Sequence, residues 1–221
     1  MPSSTVENYL KAVFVLAPGP GATAATGALA EALGVTPGTI TTMVKHLAAQ
    51  GLLEHHARAG VRLTPAGRAL AVGVLRKHRL VETFLVRVLG MDWAEVHEEA
   101  ESLEHAISDR LLARIDEFLG HPQVDPHGDP IPTAQGKVID AGHAATLADC
   151  ALKQRVRVSR ITDQSAGFLE FVTRAGLKPG ARIVVRQRDA ASGVVLCDLG
   201  RGRTATLGLP EAGKIQIKAV A

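Results

Sequence analysis

The sequence predicts a mainly α-helical protein with small β units: a winged helix-turn-helix at the N-terminus, a helical middle region and a C-terminal β-barrel. Three observations predict this fold class. Capped helical segments around a glycine turn fill the first third of the chain, two long amphipathic segments follow, and short alternating strands fill the last third. The chain has 221 residues, which is enough for about one to three domains.

Composition narrows the protein class. The chain is 46% hydrophobic but only 3% aromatic, and its net charge of +3 permits nucleic acid binding without requiring it. No apolar run approaches the roughly 20 residues of a membrane span, and the start resembles no signal peptide. Cys150 and Cys197 are far apart and lack a metal-type spacing, so we expect reduced thiols in a cytoplasmic protein.

The first helix is predicted over about residues 6–16. Ser3 or Ser4 can cap it, and apolar residues recur along it at helical spacing. The Pro- and Gly-containing stretch 17–21 that follows is typical of a loop.

The next two helices form a helix-turn-helix pattern. Thr26 begins a short helix that ends at Gly34, and Thr36 caps a helix with Pro37 at its first position that runs to about Gln50. The stretch 52–63 then resembles a two-stranded wing, so residues 1–70 are predicted to be a winged helix.

The helix after Thr36 is the candidate DNA-recognition helix, because short hydroxyls and a lysine at its exposed positions can approach bases and phosphates. Its candidate contacts are Thr36, Thr39, Thr42, Lys45 and His46, with Arg58 in the wing. The absence of arginine in this helix weakens the prediction, and a plain helical hairpin or a protein-binding winged helix is the alternative.

Two long amphipathic helices are predicted at about 65–89 and 93–119, the second capped by Asp92. Apolar positions that remain after packing could form a dimer interface, as two-fold DNA-binding proteins require. The loop 120–136 contains four prolines, which preclude a regular element there.

Imidazole and carboxylate side chains recur at helical spacing in these two helices, at His78, Glu82, His97, Glu101, Glu104 and His105. Such groups are not buried without a partner, and a divalent cation suits this ligand set. A solvated charged face is the simpler alternative. A hydrolytic zinc site is weakly supported, since the stretch from His97 to Glu101 has no second histidine four residues on.

The last part of the chain has the alternating apolar pattern of short β-strands. Strands are predicted at 156–158, 183–186, 194–198 and 215–219, with a helix at 168–174. Together they predict a small β-barrel over residues 149–221, behind a linker at 133–148.

The chain resembles the diphtheria toxin repressor family of metal-dependent transcriptional regulators. The motifs that carry this resemblance are the stretches 76–82, 96–100, 103–105 and 127–132. It implies a winged-helix domain at 1–70, metal-binding and dimerisation helices at 71–132 and a FeoA-like, Src-homology-like barrel at 149–221. It also implies a homodimer that represses genes of metal-ion homeostasis by binding double-stranded operator DNA, and that is not an enzyme.

The resemblance further implies the roles of individual residues. His78, Glu82 and His97 match an ancillary metal site that barrel side chains complete, for which Asp163 and Gln164 are the candidates. Glu101, Glu104 and His105 match the regulatory metal site, with Asn8 as a ligand from the first helix. Thr36, Gly38 and Thr42 match positions at which the family's recognition helix meets DNA.

The metal is predicted to be Mn(II), with Fe(II) as the second choice. Glu101 stands where several iron-responsive members of the family have cysteine, so the site holds no thiolate and favours harder ions. Lys11, which cannot bind a metal while protonated, stands where manganese-responsive members place a carboxylate, and this argues against a two-metal cluster. We expect Asp125 and His127 to stay outside the metal sites. A metallohydrolase and a metal-storage protein are the rival functions.

Overall fold

The computed structural model describes residues 3–19, 21–138, 144–189 and 191–220. The chain forms two compact units, and each is described by itself. The first unit comprises Met1–His78, Glu104–Ile107 and Pro132–Val138, and the second comprises Arg79–Leu103, Ser108–Ile131 and Ile139–Ala221. Within the described ranges, no helix has both the length and the apolar character needed to cross a membrane.

The first unit has the predicted winged helix-turn-helix. Its elements are α1 (Ser4–Leu16), α2 (Thr26–Leu33), α3 (Pro37–Ala49), β1 (Leu53–His56), β2 (Gly60–Leu63) and the first part of α4 (Pro65–Arg87). Ser3 caps α1 and Thr36 caps α3, each through a side-chain oxygen that accepts a backbone N–H. Gly34 ends α2 in the left-handed conformation, as predicted.

The wing is an antiparallel hairpin in which Leu53 pairs with Leu63. Its turn requires glycine at position 60, where φ is +102° and a Cβ atom would lie 2.1 Å from the carbonyl oxygen of Ala24. Ala24 and Val61 exchange backbone hydrogen bonds of 2.8 and 2.9 Å, so the wing is fixed to the start of the helix-turn-helix.

One hydrophobic core holds α1, α3 and the wing together. Leu10 of α1, Ile40 and Leu47 of α3, and Val61 of β2 are all fully buried in it. Side chains from all these elements share that core, so α1 and the candidate recognition helix α3 are packed as parts of one unit.

The second unit contains the remaining helices and a β-sheet. Its elements are the rest of α4, α5 (Val96–Glu104, whose last residue belongs to the first unit), α6 (Asp109–Phe118), β3 (Arg155–Ile161), α7 (Ala166–Ala175), β4 (Arg182–Asp189), β5 (Val194–Gly200), β6 (Arg203–Gly208), α8 (Leu209–Gly213) and β7 (Ile215–Ala219).

The prediction of one helix over 93–119 is wrong, because two helices, α5 and α6, occupy this range. The chain turns after Glu104, and the Ser108 hydroxyl accepts a hydrogen bond from the Leu111 N–H at the start of α6. Asp92 caps a turn through the Ala94 N–H, ahead of α5, which begins at Val96. Serine followed by aspartate, as at Ser108 and Asp109, is a helix start signal. The break between α5 and α6 was missed because the apolar residues keep a helical spacing through it.

The five strands form an antiparallel sheet in the order β6-β5-β4-β3-β7. Strand β6 and the short helix α8 were not predicted. The core of the second unit lies between this sheet and its helices, and it contains Ile161, Val172 and Val185. The Trp93 indole N–H donates to Thr173 Oγ1 at 2.8 Å within the same unit. Of the predicted linker at 133–148, residues 139–143 lie outside the described residues.

Candidate metal centre

The first unit brings imidazole, carboxylate and amide groups together at one end of α1. The group consists of Glu7, Asn8 and Lys11 of α1, His78 of α4, Glu104 at the end of α5 and His105 directly after it. Four of these residues, Asn8, His78, Glu104 and His105, were predicted as metal ligands.

Glu104 is the centre of this group and is fully buried. Its Oε1 lies 2.6 Å from Lys11 Nζ, and its Oε2 lies 2.6 Å from His78 Nδ1. Both carboxylate oxygens thus accept hydrogen bonds from nitrogen atoms of this chain, as a buried carboxylate requires.

His105 lies between α1 and Glu104. Its Nδ1 is 2.6 Å from Glu7 Oε2, its Nε2 is 2.8 Å from Asn8 Oδ1, and the same Nε2 is 3.4 Å from Glu104 Oε1. Asn8 therefore belongs to this group, and its role as a metal ligand stays a prediction. Glu7 was not predicted, although Glu7 and Lys11 are four residues apart and share one face of α1.

The donor set suits a divalent cation. Carboxylate oxygens of Glu7 and Glu104, the amide oxygen of Asn8 and the imidazoles of His78 and His105 are ligands that Mn(II) and Fe(II) accept. Within this unit His78 lies beside Glu104. Its grouping with Glu82 and His97, which the resemblance implies, stays a prediction.

A second group lies within the second unit. Ligand atoms of Glu82, Asp125 and His127, all buried, lie within 4.8 Å of one another. His127 Nε2 is 2.8 Å from the carbonyl oxygen of Trp93, which leaves Nδ1 as the ring atom with the lone pair. That Nδ1 is buried, has no hydrogen-bond partner among the described residues, and lies 3.8 Å from Glu82 Oε2.

An unpaired buried nitrogen beside two carboxylates is the arrangement that a cation would complete. Asp125 and His127 were expected to stay outside the metal sites. The proline-rich loop that carries them gives no helical spacing from which such a group can be recognised.

Burial raises the pKa of Asp125 well above its ordinary value, and the negative charges of Asp129 and Glu82 raise it further. The Arg79 guanidinium, 3.6 Å from Asp125 Oδ2, opposes this rise. The carboxylates of this group thus repel one another.

His97 and Glu101 lie close to the second group. His97 Nδ1 is 3.3 Å from Glu82 Oε1, and His97 Nε2 is 3.6 Å from Glu101 Oε1. The side chain of His97 is 52% exposed, so ions can reach it from solvent. Glu82 thus lies between His97 and His127.

The two barrel candidates contact other residues. Gln164 Nε2 donates to Asp129 Oδ2 at 2.5 Å, and Lys214 Nζ donates to Asp163 Oδ2 at 2.8 Å. Burial alone would raise the pKa of Asp163, but hydrogen bonds from Lys214 and Ser165 outweigh it and lower that pKa. Their role as ligands stays a prediction.

All candidate DNA-contacting residues are exposed: Thr36, Gly38, Thr39, Thr42, Lys45, His46 and Arg58. The Thr42 hydroxyl donates to the Gly38 carbonyl at 3.1 Å, and His46 Nε2 lies 3.1 Å from Gln50 Nε2. Arg58 has a positive φ of 67° in the turn of the wing.

Three family models match the chain. The N-terminal DNA-binding domain of iron-dependent repressors matches residues 1–61, their metal-binding and dimerisation domain matches residues 64–133, and the FeoA domain matches residues 145–219.

Similar curated proteins are repressors. The iron-dependent repressor IdeR of Mycobacterium leprae (strain TN) is 32% identical over 205 residues, 87% of this chain and 88% of the relative. The diphtheria toxin repressor of Corynebacterium efficiens is 36% identical over 188 residues, 81% of each chain.

Solved structures that resemble this chain are also of repressors. A manganese-dependent transcriptional repressor in complex with manganese has a TM-score of 0.85 and 40% identity, over 97% of this chain and 100% of that one. ScaR with bound Zn²⁺ has a TM-score of 0.77 and 34% identity, over 99% and 100% of the two chains.

Proposed function

Because the chain belongs to the family of iron-dependent repressors, we propose that this metal-dependent transcriptional repressor responds to Mn(II) and binds double-stranded operator DNA as a cytoplasmic homodimer. Fe(II) is the second candidate ion.

The observation that carries this proposal is the contact between α1 and His105. Asn8 and Glu7 of α1 both bond His105, which itself lies beside the buried Glu104. An ion held by Asn8, Glu104 and His105 would fix the end of α1, and α1 shares its core with α3. Coupling of about 1–3 kcal/mol between ion and DNA binding is sufficient for a switch of roughly 5–150-fold.

Mn(II) is preferred over softer ions because the candidate ligands are oxygen and imidazole nitrogen. Both cysteines, Cys150 and Cys197, lie in the core of the second unit, and neither belongs to the ligand groups found in the described part of the chain. A hard or borderline ion therefore suits these sites. Zn(II) would bind more tightly because it stands higher in the general affinity order of divalent metals, and not because of these ligands. The manganese-bound relative at 40% identity supports the same choice.

We assign the regulatory ion to Asn8, Glu104 and His105, with Glu101 as the further ligand that the resemblance implies. The second ion is assigned to Glu82, His97 and His127, with Asp125 beside them. The resemblance groups His78 with the second ion, and Asp163 and Gln164 remain candidates from the barrel. The unpaired Nδ1 of His127 supports the second assignment.

The dimer is assigned to the exposed apolar face of α6 and the end of α4. Leu111 and Phe118, seven residues apart on α6, are 50% and 71% exposed, and Leu89 after α4 is 60% exposed. Large apolar side chains exposed in this way are typical of subunit interfaces. They lie within the range matched by the dimerisation domain of the family.

Filter binding of labelled promoter DNA with and without Mn(II) tests this function. A metal-gated repressor retains the DNA only with Mn(II). A metal-storage protein would bind Mn(II), but no DNA would stay on the filter. A metallohydrolase would also leave no DNA on the filter and would turn over a substrate. Either result would contradict the proposal.

A further inference from the structure

The buried ammonium of Lys11 occupies a position that a metal ion would compete for. Lys11 is 9% exposed, and its Nζ lies 2.6 Å from Oε1 of Glu104, which is fully buried. A lysine is almost never buried to this degree without an ionic partner.

We propose that Lys11 acts as a tethered counter-cation that competes with the regulatory metal ion for Glu104 and so sets the metal concentration at which the protein responds. The inference rests on the proposed function, since it concerns the site assigned there to Asn8, Glu104 and His105.

Both carboxylate oxygens of Glu104 are already bonded to nitrogen atoms. Lys11 Nζ bonds Oε1 and His78 Nδ1 bonds Oε2, both at 2.6 Å. Two short N–H donors already satisfy this carboxylate, so an ion that binds Glu104 must displace at least one of them. Displacing the ammonium removes a charge-assisted hydrogen bond in a buried site, and this cost lowers the apparent metal affinity.

Lys11 lies on the same helix, α1, as the candidate ligand Asn8. Asn8 and Lys11 are three residues apart and both point to the same group, since Asn8 reaches His105 while Lys11 reaches Glu104. The same helix therefore carries one group that would bind the ion and one that would be displaced by it. Lys11 holds α1 near Glu104 in the absence of metal, and the ion takes over this role.

A thermodynamic cycle makes the proposal testable. Lys11→Met keeps the length and apolar stem of the side chain but removes its charge, so the metal-free protein loses the bond to Glu104. If the ion breaks the bond between Lys11 and Glu104 in the wild-type protein, then removing this bond by mutation destabilises only the metal-free form. The same free energy must then reappear as tighter metal binding.

The experiment titrates Mn(II) into wild-type protein, Lys11→Met and the charge-matched control Lys137→Met by calorimetry, and measures denaturant unfolding of each with and without Mn(II). Lys137 is exposed and belongs to the same unit. The binding event that disappears in Glu104→Gln identifies the regulatory site in the isotherm. Lys11→Gln, which still offers an N–H donor to Glu104, provides a folded metal-free protein if Lys11→Met does not fold.

We expect Lys11→Met to bind Mn(II) about tenfold or more tightly than wild type at this site. Its metal-free form should unfold at lower denaturant, and its Mn(II)-loaded form should match the wild type. Unchanged or weaker Mn(II) binding in Lys11→Met, or an equal change in Lys137→Met, overturns the role of Lys11. If the wild-type protein shows no binding event that depends on Glu104, the proposed function itself fails.

Discussion

The ring of His127 stacks on the indole of Trp93, with 5.3 Å between ring centroids, while its Nε2 donates to the Trp93 carbonyl oxygen at 2.8 Å. The two contacts hold the imidazole in one orientation and one tautomer. Its other nitrogen, Nδ1, therefore faces the buried carboxylates of Glu82 and Asp125. Metal-binding histidines are commonly oriented in this way by a backbone carbonyl.

This geometry predicts that His127→Gln reduces the rise in melting temperature that Mn(II) produces. The variant loses the nitrogen that faces Glu82 and Asp125, so an ion bound there is held less tightly. His121→Gln is the matched control, because His121 is in the same unit but 68% exposed and bonded to Asp116. Differential scanning calorimetry with and without Mn(II) provides the measurement, and an equal Mn(II) effect in both variants would refute the second site.

Glu104→Gln is predicted to abolish metal-dependent operator binding while leaving the dimer intact. The amide keeps the size of the side chain but loses the charge that would bind the ion. Glu98→Gln on the exposed side of α5 is the control and should behave as wild type. Gel shifts with a Mn(II) series, together with size-exclusion chromatography, test this, and retained metal dependence in Glu104→Gln would show that the site is misassigned.

Thr42→Ala is predicted to weaken specific DNA binding by about 1 kcal/mol per protomer, the usual contribution of one hydrogen bond, without changing metal affinity. Thr41→Ala is a matched control. Thr41 and Thr42 both donate to a carbonyl four residues earlier, at 2.9 and 3.1 Å, so the effects on helix stability are similar. Fluorescence anisotropy of operator DNA measures the difference. A fall in Mn(II) affinity that accompanied the loss of DNA binding would contradict the assignment of Thr42 to DNA.

Lys45→Ala is predicted to lower the dependence of DNA binding on salt. Lys45 is exposed on α3 beside the candidate base contacts, and a lysine that neutralises a phosphate releases a counterion. The slope of log K against log salt concentration should fall by about 0.9 for each phosphate that is no longer neutralised, and affinity should fall similarly for all sequences. An unchanged slope would exclude a phosphate contact by Lys45.

The two cysteines are predicted to resist alkylation at pH 8 in the folded protein. Burial raises the pKa of Cys150, and burial together with the nearby Cys150 thiol raises the pKa of Cys197 to about 11. Only about one Cys197 thiol in a thousand is then ionised at pH 8, and the thiolate is the reactive form. Mass spectrometry after iodoacetamide treatment should show labelling only once the second unit is unfolded; rapid labelling of Cys197 in the native protein would contradict this placement.

The sequence was informative where local physics decides structure. The Thr36–Pro37 cap, the left-handed end at Gly34 and the helical spacing of histidine and glutamate predicted the winged helix and most of the candidate ligands. The break at Ser108 was missed because apolar periodicity continues through it. Strand β6 was missed although Ala205 and Leu207 alternate there as buried residues.

The candidate sites were predicted less completely than the fold, because their decisive contacts join distant parts of the chain. Lys11 and Glu104 are 93 residues apart, and no periodicity brings them together. The Trp93 carbonyl that orients His127 is a backbone atom, which leaves no trace in the residue pattern. Such contacts follow only from the packed structure.

Equilibrium anisotropy of a labelled promoter fragment tests the central claim most directly, with dialysed protein titrated at fixed ionic strength in Mn(II) and again after exhaustive chelation. We predict specific binding in Mn(II) that weakens by at least about fivefold on chelation and returns when Mn(II) is restored. Equal affinity for the promoter in both conditions would contradict the account.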